Sequence, residues 1–263
     1  MTNAPRVLLL AGFLLLTSGV TGCQTASTPP RAPGRPTSAS PAVTKSASPA
    51  RQRPASLDGC FSPARGTINK APDPGGGTLT LAVIGTGPRV VVLSNESDED
   101  LCSWLPFSSR LAAAGYRVVL WDYGSGSPAA ELTGVVQRLR AMGSARLVLM
   151  GASEGAKASL VAAAQTTPTV RGVVSLSAEW VLSNGIDVAD YVKRLRCPML
   201  LVTADEDPYG SNPAAHRFIA VARTPVKQLV TVPGEDHGTA LLSGPPAAKT
   251  VPAIVAFLSH VLA

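Results

Sequence analysis

Histidine is the scarcest chemically active residue in this chain, with three in 263 residues, and cysteine is almost as rare with four. Any chemistry that needs an imidazole base must therefore use His216, His237 or His260. No internal repeat is visible, and the longest early apolar run, Val7 to Leu16, is too short to span a bilayer comfortably. Basic charge is missing where a nucleic-acid binder would need it. The formal net charge is +6, but the stretch from Gln24 to Lys70 holds seven Lys and Arg against one acid, Asp58. From Ala71 onward there are 15 Lys and Arg against 16 Asp and Glu, so the later part offers no basic footprint for phosphates, and a nucleic-acid partner is set aside.

What is present begins with a basic Arg6, the apolar run and then small residues, the pattern of a secretory signal. Its end, Val20-Thr21-Gly22-Cys23, resembles the lipobox of bacterial lipoproteins. That resemblance implies cleavage after residue 22, diacylation of Cys23, and anchoring at the outer face of the cell membrane, which two acyl chains achieve stably. Residues 23–57 are Pro, Ser, Ala and Thr with scattered cations and little to bury. They are expected to form a disordered tether between the signal peptide (1–22) and a folded domain at 58–263.

From Thr78 the pattern alternates between strands and helices. Strands are expected at 78–85, 89–95, 116–124, 145–151, 170–177, 198–204 and 226–234, and helices at 102–115, 129–143, 154–165, 188–196, 212–223 and 247–263. The strands from Arg89 onward are continuous apolar runs, as in a parallel sheet covered on both faces. The fold class is therefore α/β: a doubly wound, mostly parallel sheet with helices on both faces, in one domain. The first two strands, joined by Gly85-Thr86-Gly87-Pro88, are expected to form an antiparallel hairpin at one edge. With Cys23 assigned to lipidation, three cysteines remain. Cys60 and Cys102 lie near element ends and are expected to bridge, whereas Cys197 enters an apolar strand and reads as a buried hydrophobe.

Ligands of such sheets bind beyond the carboxyl ends of the strands. There the sequence carries Gly151-Ala152-Ser153-Glu154-Gly155, a G-x-S-x-G between a strand and a helix. A serine on so tight a turn needs glycines on both sides, and at the helix N-terminus its hydroxyl sits in a field that favours developing negative charge. His216 and His260 fall within helices, leaving His237, in Pro233-Gly234-Glu235-Asp236-His237-Gly238, as the candidate base. The loop after residues 198–204 offers Asp205, Glu206 and Asp207 as an orienting carboxylate.

On these residues, in the order Ser153, Asp, His237, the chain from about 77 to 263 resembles the α/β-hydrolase family, in particular its small, lid-poor, dienelactone-hydrolase-like esterases. The resemblance implies Ser153 as nucleophile, His237 as base and Asp207 as the acid, since an acid followed by Pro208 fits the family pattern; Asp205 is the reserve. It implies an oxyanion hole from the amide of Glu154 and those of Asn95 or Glu96, where the family often has His-Gly; the Asn95 side chain is a further candidate donor. Trp104 reads as a core or pocket-wall residue, and the segment Trp121 to Ser127 as a structural turn.

Ten acids, Glu96, Asp98, Glu99, Asp100, Glu154, Asp205, Glu206, Asp207, Glu235 and Asp236, fall at these strand ends and should repel anions. Glu96 to Asp100 supplies hard oxygens, but without the spacing of a known cation loop, and no metal or other cofactor is implied. The expectation is a membrane-tethered, monomeric serine esterase for small, neutral or cationic esters. The alternatives are a catalytically degenerate surface-binding lipoprotein and an envelope acyltransferase using the same triad.

Overall fold

The apolar runs take the conformation their β-branched content favours. The structure, a computed structural model, describes residues 59–263, so the expectations for the signal segment, Cys23 and the tether lie outside the described residues. Eight strands form one sheet in the order β1-β2-β4-β3-β5-β6-β7-β8, comprising β1 Thr67–Pro72, β2 Thr78–Ile84, β3 Arg89–Ser94, β4 Arg117–Trp121, β5 Arg146–Ala152, β6 Gly172–Leu176, β7 Met199–Ala204 and β8 Lys227–Val232. Strands β3 to β8 are mutually parallel where they pair. Their central members are buried along nearly their whole length, which is why they carry no polar alternation.

Each face of the sheet is closed by helices with its own apolar cluster. On one face α2 (Pro128–Ala141), α3 (Glu154–Gln165) and α5 (Ser211–Val221) bring Leu132, Val135, Leu160 and Phe218 against Val92, Leu149 and Leu201. On the other, α1 (Leu105–Ala113) and α6 (Ala247–Val261) bring Phe107, Leu111, Ile254 and Phe257 against Val91, Val148 and Leu200. Trp104 is fully buried in this second cluster, which settles it as a core residue.

Three features differ from the sequence expectations. The antiparallel hairpin is not formed by the strands on either side of Gly85 to Pro88. Instead β2 pairs with β1 and with β4, and β3 lies beyond β4. The physical reason is that β3 is buried on both faces and takes an interior place between β4 and β5, while β2 serves the edge side of the sheet. Strand β1 was not expected, because Thr67–Pro72 is mostly exposed and its apolar signal is weak. The helix expected over 188–196 is a single turn, α4 (Ala189–Val192), and that over 102–115 opens as a 3₁₀ turn at Leu101–Trp104 before α1. A disulfide joins Cys60 to Cys102, with Cα atoms 5.9 Å apart, and Cys197 is a buried free thiol whose pKa burial raises to about 12.

The strand order fixes where a site can form. From β3 the chain crosses through α1 to β4 on one side; from β5 it crosses through α3 to β6 on the other. Between β3 and β5 the two connections diverge, leaving a crevice at the carboxyl ends, and Ser94-Asn95 and Ser153 emerge there.

Candidate active site

Ser153 occupies the turn between β5 and α3 with φ 48° and ψ −114°, a conformation that costs a non-glycine residue free energy of order 1–3 kcal/mol. The two flanking glycines make the turn possible by contact. A Cβ on Gly151 would lie 2.1 Å from the Gly155 carbonyl oxygen, and one on Gly155 would lie 2.2 Å from that of Ser94 and 2.5 Å from that of Asn95. The second contact also shows that the end of β3 and the head of α3 are pressed together, so the Asn95-Glu96 loop flanks the serine.

The candidate base and acid arrive from two neighbouring loops. Asp207, after β7, accepts at Oδ2 from His237 Nδ1 at 2.7 Å and from Ser211 Oγ at 2.5 Å, and at Oδ1 from the Tyr209 amide at 2.9 Å. Asp205 is exposed and accepts instead from the Gly234 amide at 2.9 Å, bracing the loop that carries His237. Of the two candidate acids, Asp207 is therefore the one in contact with the imidazole. His216 and His260 are exposed.

The far side of the imidazole meets a residue the sequence reading overlooked. Glu179, after β6, presents Oε1 to His237 Nε2 at 3.3 Å and accepts from Ser153 Oγ at 3.0 Å. The candidate nucleophile and base thus converge on one carboxylate oxygen. The other oxygen, Oε2, pairs with Lys157 Nζ at 2.7 Å, and Lys157 also pairs with Glu154 Oε2 at 2.9 Å. Burial pushes the Glu179 carboxyl upward, but the hydrogen bonds with His237 and Lys157 and the charge of Lys157 outweigh it and hold the group down at about 2. Burial likewise lowers the His237 pKa, and the hydrogen bonds to Glu179 and Asp207 with their charges override that and raise it. The signals for this cluster were present but faint: Glu179 lies just past a strand end, and Lys157 is a lone cation in the small-residue segment Gly155 to Ala164.

The remaining candidates hold the frame. The Asn95 side chain donates to the Trp121 carbonyl at 3.0 Å and to Asp122 Oδ1 at 2.6 Å, so the further expectation that it serves as an oxyanion donor is corrected: its N–H groups are engaged away from the serine. Glu96 turns its carboxylate to Thr239, accepting from the amide at 2.8 Å and from Oγ1 at 2.7 Å, and so ties the β3 loop to the segment after His237. Ser177, also at positive φ (55°), accepts from the Gly238 amide at 3.0 Å and fixes the same segment from below. Glu154 begins α3, its amide next in the chain to Ser153, and its Oε1 accepts from the Ser183 amide. The turn from Trp121 to Ser127 is held by buried Glu131, which accepts from the amides of Gly124 and Gly126. Among the described residues no group of three or more His, Cys, Asp and Glu side chains is arranged to hold a metal.

No family model matches this sequence, and no curated protein matches it. Solved structures do match. An esterase of Pyrococcus furiosus superposes with a TM-score of 0.68 at 15% identity, over 80% of this chain and 97% of that one. A dienelactone hydrolase of Anabaena variabilis does so with a TM-score of 0.59 at 21% identity, over 76% and 100%. A monoacylglycerol lipase of Paleococcus ferrophilus gives 0.61 at 17% identity, over 69% and 99%. The chain has the α/β-hydrolase fold.

Proposed function

We propose that this protein is a serine hydrolase that cleaves small, neutral or cationic carboxylic esters through an acyl-enzyme, tethered outside the cell by lipid on Cys23 and acting as a monomer. The observation that carries the reading is the strained Ser153 turn beside the Asp207–His237 pair, with Ser153 Oγ and His237 Nε2 both against one oxygen of Glu179. In the first half-reaction Ser153 Oγ attacks the acyl carbon while its proton passes to His237 Nε2, and the carbonyl electron pair moves onto oxygen to give a tetrahedral oxyanion. Asp207 keeps Nδ1 as the protonated nitrogen and stabilises the imidazolium. The oxyanion is received by the amides of Glu154 and of Asn95 or Glu96, at the positive end of α3. Collapse expels the alkoxide, which takes the proton from Nε2, and water then repeats the sequence to release the acid. No cofactor takes part in this scheme.

A second reading, a fold retained for surface binding without catalysis, draws support from one contact: the Ser153 hydroxyl is bonded to Glu179 and not to His237. A fluorophosphonate probe separates the two. Covalent labelling that Ser153→Ala abolishes, with a loss of at least about a thousandfold in kcat/KM on a short-chain ester, is expected of the enzyme. A wild-type chain that takes no label supports the binding reading.

A further inference from the structure

We propose that Glu179 is a positioning residue that latches the resting site: by taking both the Ser153 hydroxyl and the His237 Nε2 proton at Oε1, it keeps the serine off its base until His237 releases that proton. The inference rests on the hydrolase reading above. Its basis is the geometry of a shared acceptor. One oxygen serves two donors, at 3.0 Å and 3.3 Å, and those donors are the two groups that must bond to each other for the serine to be activated.

The proton on Nε2 decides between two arrangements. When His237 is an imidazolium it has an N–H at each ring nitrogen, and each meets a carboxylate, Asp207 at Nδ1 and Glu179 at Nε2. A doubly flanked cation of this kind is well satisfied, and the serine hydroxyl is left on Glu179. When the Nε2 proton leaves, Nε2 exposes a lone pair toward Oε1, and two acceptors face each other with nothing between them. The hydroxyl of Ser153 is the donor at hand, and it gains a second acceptor in Nε2. Glu179 does not need to move far for this, because Lys157 holds its other oxygen at 2.7 Å and is itself held by Glu154 at 2.9 Å. The ion pair keeps the carboxylate in place and charged in both arrangements.

The charges that surround the imidazole favour the latched form from several elements. Asp207 faces it from the loop after β7, and Glu179 from the loop after β6, backed by Lys157 and Glu154 on α3. Glu96, from the loop after β3, is bonded to Thr239 two residues beyond His237, and Glu235 and Asp236 stand on its own loop. The Tyr209 ring covers one side, its centroid 4.5 Å from that of the imidazole. Lys157 is the only cation in contact with this cluster among the described residues, and it is bound to the two glutamates rather than to the ring.

The test follows the proton on His237 directly. The imidazole of His237 is titrated by NMR in the full chain and in Glu179→Gln, with His237→Gln to assign the signal. Fluorophosphonate labelling of both is timed from pH 5 to pH 9. In E179Q the His237 midpoint is expected to fall by at least about one pH unit, and labelling at pH 6 to run about fivefold faster than wild type, the two converging at high pH. Glu179→Asp, whose shorter carboxylate does not span both donors, is expected to shift the midpoint in the same direction and serves if E179Q unfolds. An unchanged midpoint in the folded variants overturns the latch, as does slower labelling of E179Q at every pH, which would make Glu179 a required part of activation. A wild-type chain that takes no label at any pH overturns the hydrolase reading and the latch with it, whereas a labelled wild type with an unchanged midpoint in the variants overturns the latch alone.

Discussion

At the residue scale the chemistry turns on where one proton sits. Carboxylates on both ring nitrogens raise the pKa of His237, and their attraction overrides the burial that would otherwise favour the neutral ring. A base must be neutral to accept the serine proton, so kcat/KM is expected to rise with pH through a midpoint above the ordinary 6.5, and a midpoint at or below 6.5 would contradict the assignment. The same proton affects stability with the opposite sense. A group whose folded pKa is raised contributes stability in full below its unfolded pKa, and loses it as pH climbs through the folded value. The free energy of unfolding of wild type relative to His237→Gln is therefore expected to shrink across the window in which activity turns on. Urea titrations at a series of pH values measure this directly. The candidate nucleophile and base were legible in the sequence because scarcity did the selecting: one G-x-S-x-G between strand and helix, and one histidine outside a helix, whereas the candidate acid was left among Asp205, Glu206 and Asp207, with only the family resemblance favouring Asp207. Glu179 and Lys157 were not, since a lone glutamate after a strand and a lone lysine in a helix carry no spacing signature. Only the folding of β5, α3 and β6 against each other makes them a pair.

At the element scale the site depends on backbone approach more than on side chains. Strand β3, the head of α3 and the turn between β5 and α3 meet so closely that two glycines have no room for a methyl group. The obstructing atoms are backbone carbonyls, which cannot swing aside as a flexible side chain would. Gly155→Ala is therefore expected to cost roughly 2–3 kcal/mol of stability, as overpacking typically does, and to spread Ser94 and Asn95 away from the serine. Thermal unfolding reads the first effect and fluorophosphonate labelling the second. A variant with wild-type Tm and labelling rate would show that the contact is slack. The same elements explain what the sequence obscured about pairing. The strand pattern alone identifies β2 and β3 as strands and their short connection as a turn, but not that β4 inserts between them. That choice is made by burial: Val90 to Leu93 are fully buried and demand cover on both faces, whereas β2 and β1 carry exposed and half-buried positions suited to the edge side. Strand β1 itself, with one fully buried residue in six, owes its form to the ladder it makes with β2 and not to its own composition.

At the scale of the described domain, charge is sorted along the strand direction. Each of the six strands β3 to β8 is entered through or just after a cation: Arg89, Arg117, Arg146, Arg171, Arg196 and Lys227. The acids cluster at the other end, where Asp98, Glu99, Asp100, Asp205, Glu206 and Glu235 are exposed around the crevice. Burial does not explain the pattern, since most of these side chains on both edges face solvent, so it acts chiefly through the field it creates. A negative rim above a positive base draws cations toward the carboxyl edge and turns anions away, and salt weakens the effect because the charges are exposed. Three of the acids nearest the serine are already spent within the fold, Glu96 on Thr239 and Glu154 and Glu179 on Lys157, which leaves the outer ring to act on the substrate at a distance. Among esters matched in acyl length, one with a cationic alcohol portion is thus expected to exceed its anionic counterpart in kcat/KM by about tenfold at low ionic strength, the ratio falling toward one near ~0.5 M salt. A steering field should appear in kcat/KM and leave kcat nearly level, because it changes encounter and not the bonds being broken. A preference for the anion at low salt would mean that a local cation, Lys157 foremost, outweighs the rim, and the substrate class would then have to be sought among acidic esters.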